Sequence, residues 1–182
     1  MPSELAAHAM RFAEPLRATQ TMSDPGPTIT APDAFRTLRD HATIGWDLDM
    51  TLVGHPASDA LHDFIRATPH IRHVIVTFRP TSTRDTVWAD LARLPTAPAA
   101  HCFLAAETID DALAATFQRL RRYRAQGLYA GPHSPAETLY FHWKGEVCAR
   151  WGATVLVDDM IDHVSLGCAA SDIKLLHPDV FR

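Results

Sequence analysis

A chain of 182 residues has room for one domain, with or without a tail, and 47% hydrophobic residues is ordinary for a globular core. A net charge of −4 speaks against a broad basic surface for nucleic acid, while leaving room for a local one. No apolar run reaches the ~20 residues of a membrane span, and residues 1–5 lack the basic start and apolar core of a secretory signal, so cytoplasmic residence without a membrane partner is expected.

Residues 1–32 read as a peripheral N-terminal segment, helical over 5–16 or flexible, with a Pro/Gly-rich loop at 23–27. From residue 33 to 182 the chain alternates as one domain. The pattern predicts helix 33–40, strand 43–47, helix 59–67, strand 73–77, helix 81–94 and strand 101–105. Helix 108–126 follows, then an irregular stretch 129–142 with an extended piece at 138–141. Helix 144–151, strand 154–158, helix 160–168 and strand 173–176 complete the series. Such alternation implies an α/β fold, a Rossmann-like three-layer sandwich with a central parallel sheet covered on both faces. The runs 74–76 and 155–157 are continuously apolar, as doubly buried strands are.

The three cysteines, Cys102, Cys148 and Cys168, form no CxxC and sit among small or apolar residues, so buried free thiols are expected rather than a disulfide framework. The eleven histidines make no HxH or HExxH pattern that would mark a zinc site.

The chemistry concentrates at predicted strand ends, where ligands bind in parallel sheets. Asp47-Leu48-Asp49-Met50-Thr51 follows the apolar Ile44-Gly45-Trp46. Two carboxylates one residue apart repel each other unless a cation lies between them. Their spacing puts both side chains on one face of an extended segment. Thr77 ends the run His73-Val74-Ile75-Val76, and Asp158-Asp159 ends Val155-Leu156-Val157. Of 17 basic side chains only Lys144 and Lys174 are lysines. Placed at the start of a predicted helix, where the macrodipole disfavours a cation, Lys144 suits an acidic site; an ordinary surface lysine is the alternative, and Arg150 the fallback.

Together these residues, in this order over 43–177, resemble the four motifs of the haloacid dehalogenase (HAD) superfamily. The resemblance implies a magnesium-dependent phosphomonoester hydrolase, capless or minimally capped. Asp47 would be the nucleophile and Asp49 the general acid/base, with the Asp49 backbone carbonyl also on the metal. Thr77 would bind a phosphate oxygen and Lys144 would neutralise charge on the nucleophile and the phosphoryl group. Mg2+ would be held by Asp47, Asp49, Asp158 and Asp159, with Asp162 either assisting or serving as a first-turn helix acid. Arg79 and Arg84 are candidate substrate contacts, or solvated charges flanking a helix. The chain departs from the family at Phe78, where Thr77-Phe78-Arg79-Pro80 stands for the more usual TGRP.

Between Asp49 and Thr77 only one helix fits, and residues 129–141 are too short for a separate α/β cap, so an open site is expected. The substrate would be a phosphorylated small molecule, with a nucleic-acid end as the alternative. Arg119, Arg121, Arg122 and Arg124 offer a basic patch, or complement a helix dipole as Glu107, Asp110 and Asp111 do at its other end. His55 and His133 line the site or are plain loop residues. Other readings are a polynucleotide-end phosphatase, a phosphotransferase and a noncatalytic phosphate-binding scaffold on the same fold. The sequence gives no sign of oligomeric state.

Overall fold

The computed structural model describes residues 30–125 and 134–182. The helix expected at 5–16 therefore lies outside the described residues. Among the described residues five strands carry the fold: β1 (Thr43–Trp46), β2 (Arg72–Pro80), β3 (Ala105–Ile109), β4 (Val155–Val157) and β5 (Lys174–Leu176). They form one sheet in the order β3-β2-β1-β4-β5, with every neighbouring pair parallel. The α-helices among the described residues are α1 (Ala31–Arg39), α2 (Ser58–Ala67), α3 (Arg84–Ala92), α4 (Asp111–Ala125), α5 (Pro135–Arg150) and α6 (Ile161–Ala170). None of the helices among the described residues is long and apolar enough to cross a membrane.

The period-2 alternation of strand side chains splits the core into two layers. Ile44, Trp46, Ile75, Val155 and Val157 face one way and pack against Ala34 and Leu38 of α1, Leu61, Phe64 and Ile65 of α2, and Val87 and Leu91 of α3. Val74, Val76 and Leu156 face the other way, against Val147 and Cys148 of α5 and Val164 and Cys168 of α6. A smaller cluster of Ile109, Leu120, Tyr140 and Phe141 joins α4 to α5. Helices on both faces make the arrangement consistent with a Rossmann-like sandwich.

Several element boundaries differ from those the sequence pattern predicts. The third strand runs over Ala105–Ile109 rather than 101–105, with Ala100–Cys102 in a 3-10 turn. Its residues Ala105-Ala106-Glu107 have little intrinsic strand preference; pairing with Val74 to Val76 decides the matter. Helix α4 starts only at Asp111, because Thr108 and Ile109 belong to that strand. The second strand continues past Thr77 to Pro80, with a register shift between those residues. Finally, α5 is one 16-residue helix from Pro135, which absorbs the supposed extended piece at 138–141. Ser134 caps it by accepting a hydrogen bond from the Glu137 backbone N–H (3.3 Å), with Pro135 at the first helical position. Lys144 consequently lies in mid-helix and not at a helix start, so the helix dipole does not account for its placement.

Candidate functional site

The strand order places one crevice above all others. From β1 the chain steps outward to β2 and β3, then crosses back to β4 beside β1 and on to β5. The carboxyl ends of β1 and β4 thus flank the point where the winding reverses, which is where ligands bind in such sheets. Asp47 and Asp158 are the residues that leave those two strands. Each still holds its ladder: the Asp47 N–H donates to Val157 O (2.9 Å) and the Asp158 N–H to Leu176 O (3.0 Å). The backbone of both is therefore fixed by the sheet and not by a loop.

Between them stands Lys144, reaching across from α5. Its Nζ donates to Asp47 Oδ1 and to Asp158 Oδ2, each at 2.6 Å, and all three side chains are buried. The Phe78 ring covers the ammonium, whose nitrogen is 4.4 Å from the ring centroid, a cation–π geometry. Phe78 is itself stacked on Tyr140 at 4.5 Å between centroids. The large residue at this position thus lies against α5, and closes the lysine off from water.

Asp159 joins the group: one carboxylate oxygen each of Asp47, Asp158 and Asp159 lie within 4.8 Å of one another. Two carboxylates thus grip the ammonium and a third stands beside them. Burial, with Lys144 opposing and Asp158 reinforcing, drives the Asp47 carboxyl well above the usual aspartate range. Burial and then Asp158 raise Asp159 as well. For Lys144 burial works against the charge, but Asp158 and Asp47 outweigh it and hold the ammonium more tightly than in water. A buried site with an excess of negative charge and only oxygen donors is one that a hard divalent cation would relieve. Asp162 lies in the first turn of α6 and is not part of the close trio.

Asp49 is placed differently. Its side chain is 53% exposed, and both oxygens are taken by Arg79, Nε to Oδ2 at 2.9 Å and Nη2 to Oδ1 at 2.6 Å. Arg79 is gripped from behind by Asp90 Oδ2 (2.6 Å) and Thr86 Oγ1 (3.1 Å). The hydrogen bonds to Asp49, against the cost of burial and with help from Asp90, raise its pKa further. Thr77 is buried beside it; its hydroxyl accepts the Arg79 backbone N–H (3.3 Å). The turn after Asp49 is closed by Met50 N–H to Val53 O (2.7 Å) and Val53 N–H to Leu48 O (2.8 Å), and puts Met50 at φ 57°.

A cleft of ≈ 700 Å³ opens above these residues, lined among others by Asp47, Asp49, Thr77, Arg79 and Asp159. The sequence-predicted residues that it brings together are Asp47, Asp49, Thr77, Arg79 and Asp159, with Lys144 and Asp158 packed beneath. Arg84 is not among its lining residues and donates instead to Thr108 Oγ1 (3.2 Å). Arg150 pairs with Glu107 at 3.5 Å, and His55 lies 3.3 Å from Asp179, both away from the lining. His133 lies outside the described residues. Of the arginine run, Arg119 is 3.7 Å from Glu137, and Arg122 donates to Gln118 O (3.3 Å). Sequence reasoning missed Asp90 as the anchor of Arg79, and Phe78 as the cover of Lys144. Neither carries a local signal, because both are tertiary contacts.

Compared with known proteins, the chain matches no family model, no curated protein and no solved structure.

Proposed function

We propose that the protein is a magnesium-dependent phosphomonoester hydrolase of the HAD type, acting through a phosphoryl group carried on Asp47. The single observation that supports this most is the buried Asp47–Lys144–Asp158 bridge at the point where the sheet's winding reverses, with the Asp159 carboxylate alongside. Such a bridge fixes one oxygen of Asp47 and points its carboxylate into a cleft that also receives Thr77.

The residues fit the implied cation: three carboxylates in mutual reach with one lysine, and no soft donor among them. Mg2+ bound there would offset charge on the phosphoryl oxygens. The chain's own residues do the rest. Asp47 attacks phosphorus as the bond to the leaving oxygen breaks, giving an acyl phosphate. Asp49, once Arg79 has yielded one oxygen and that oxygen has taken a proton from solvent, gives this proton to the leaving oxygen and later regains one from the water that attacks phosphorus. Inorganic phosphate leaves, and both carboxyls return to their starting forms. Because Arg79 occupies both oxygens of Asp49, it must yield one of them for this role. Lys144 stays charged throughout and holds Asp47 in line. The Thr77 hydroxyl donates to a phosphoryl oxygen.

The test is phosphate release from a panel of phosphorylated metabolites, acetyl phosphate and 5′- and 3′-phosphorylated oligonucleotides, with and without Mg2+. Release that depends on Mg2+ and vanishes in Asp47→Asn is expected. No release from any of them would turn the reading toward a noncatalytic phosphate binder.

A further inference from the structure

The cleft is larger than its chemistry requires. At ≈ 700 Å³ it falls in the range of about 300–1,000 Å³ that holds a drug-sized ligand, so most of its volume lies beyond the phosphoryl position. What lines that remainder is mainly apolar. Phe78 and Phe117 stand 6.3 Å apart with planes at 13°, forming an aromatic wall. Ala114 and Ala115 of α4 leave room beside it, and Met160 lines the cleft as well.

Met50 adds a second, independent observation. It is one of two non-glycine residues at positive φ among the described residues, and the residue is 51% exposed where it lines the cleft. A left-handed conformation costs an ordinary side chain about 1 kcal/mol or more. Leaving a thioether in water gains nothing, whereas a pliable, polarisable side chain suits an apolar or aromatic ligand.

Charge gives the third constraint. Asp49, Asp111 and Asp159 line the cleft, and Arg79 is its one cationic lining residue. That cation is already committed to Asp49 and Asp90. A substrate with a second anionic group would meet carboxylates and no uncommitted cation among the described lining residues.

We infer that the substrate is a monoester of an uncharged, ring-bearing alcohol, its ring lying against Phe78 and Phe117 between Met50 and Met160. This deepens the phosphatase reading and rests on it. A polyanion such as a nucleic-acid end, or a phosphorylated hydroxy acid, is a poor fit to the same walls.

Two measurements test it. The first compares kcat/KM for 2-(1-naphthyl)ethyl phosphate, glycerol 3-phosphate, a phosphorylated hydroxy acid and a 5′-phosphorylated oligonucleotide, all with alkyl leaving groups. The naphthyl ester is expected to lead by at least about tenfold, as partial burial of a ring allows. Ala115 is exposed, so Ala115→Trp keeps the helix while filling the trough. It should lower the ratio of naphthyl to acetyl phosphate turnover about tenfold. A lead for the hydroxy acid or the oligonucleotide, or an unchanged ratio in Ala115→Trp, overturns the inference while leaving the phosphatase reading intact. The second measurement needs no catalysis: Kd for phenylphosphonate against phosphonoacetate, with Mg2+, by calorimetry. Tighter binding of phenylphosphonate is expected; equal or weaker binding overturns the inference. Absence of turnover with every ester strikes the phosphatase reading alone, and the phosphonates then decide the trough.

Discussion

Gly145 of α5 and Gly167 of α6 meet backbone to backbone, one residue along from the lysine that bridges Asp47 and Asp158. A Cβ on Gly167 would stand 2.6 Å from Phe141 O, and one on Gly145 would run into the Gly167 carbonyl and stand 2.8 Å from Cys168 N. The lack of side chains at this crossing lets the two helices touch, and so sets how deep Lys144 reaches beneath the cleft. Gly145→Ala cannot be absorbed by a flexible neighbour, since the obstacles are backbone atoms. A loss of about 2 kcal/mol or more is expected, at the upper end for overpacking a tight contact. Urea unfolding checks the loss. A fall in the proposed phosphatase activity larger than the unfolded fraction explains would show that the crossing also positions Lys144.

Lys144 itself offers a sharper test. Removing one partner of a buried ion pair leaves the other charge uncompensated, at a cost of about 3–5 kcal/mol. In Lys144→Met two buried carboxylates, Asp47 and Asp158, would face each other without a cation. The variant should unfold at much lower denaturant in EDTA. Adding Asp47→Asn to it should recover part of the loss, because one of the two charges is gone. A single variant as stable as the parent, or a double variant less stable than the single, contradicts the picture of a lysine clamped between two acids.

His73 makes stability depend on pH. Its Nδ1 accepts a hydrogen bond from Trp46 Nε1 (3.1 Å), so the neutral ring carries its proton on Nε2, facing Thr68 O (3.3 Å). Burial lowers the folded pKa to about 4, with Thr68 opposing and His70 assisting. The unfolded chain takes up the proton near pH 6.5 and the folded one resists until about 4. The fold is therefore favoured above pH 6.5 and loses stability as pH falls from there toward 4, by at most ~3 kcal/mol from this group. His73→Gln, weaker at neutral pH, should show a flatter decline across that window. A His73 ring seen by NMR to titrate near 6.5 in the folded protein would remove the basis for this.

How much of this was legible in the sequence differs from element to element. Strands β1 and β4 were plain, because Ile44-Gly45-Trp46 and Val155-Leu156-Val157 are apolar on both faces and a strand buried on both sides must be. That Asp47, Thr77 and Asp158 lie toward the carboxyl ends of their strands was legible in the same apolar runs, and the order β2-β1-β4 sets those strands side by side. Strand β3 was misplaced because Phe103 and Leu104 look more like a strand than Ala105 and Ala106 do, yet Leu104 is 52% exposed. The start of α5 was hidden by Thr138-Leu139-Tyr140-Phe141, although Ser134-Pro135-Ala136-Glu137 spells a helix cap. The grip of Asp90 on Arg79 and of Phe78 on Lys144 depends on where α3 and α5 pack, which no local pattern carries.

Metal dependence can be read without an assay of turnover. A ligand that binds only the folded protein stabilises it by mass action. If Mg2+ sits among Asp47, Asp158 and Asp159, the melting temperature should rise with Mg2+ and fall back in EDTA. Asp158→Ala should abolish the rise. An equal rise in parent and variant would place the ion elsewhere.

If Asp47 is the nucleophile and Asp49 the acid/base, their variants should separate cleanly when the leaving group is varied. Asp47→Asn has no nucleophile and should form no phosphoenzyme with any ester. Asp49→Asn keeps the nucleophile but cannot protonate a leaving oxygen or activate water. With an alkyl phosphate, whose leaving oxygen needs a proton, its first step should slow by the ~10²–10⁴-fold typical of a lost general acid. With an activated aryl phosphate the first step should suffer far less, while hydrolysis of the intermediate stays slow. Phosphate should then accumulate on Asp47, visible as an added mass after acid quench. The variant also releases Arg79 from the bidentate pair it makes with Asp49. Asp90 still holds Arg79, so the wall of the cleft should keep its shape. Turnover in Asp47→Asn equal to that of the parent would exclude covalent catalysis at this residue and leave direct attack by water as the alternative.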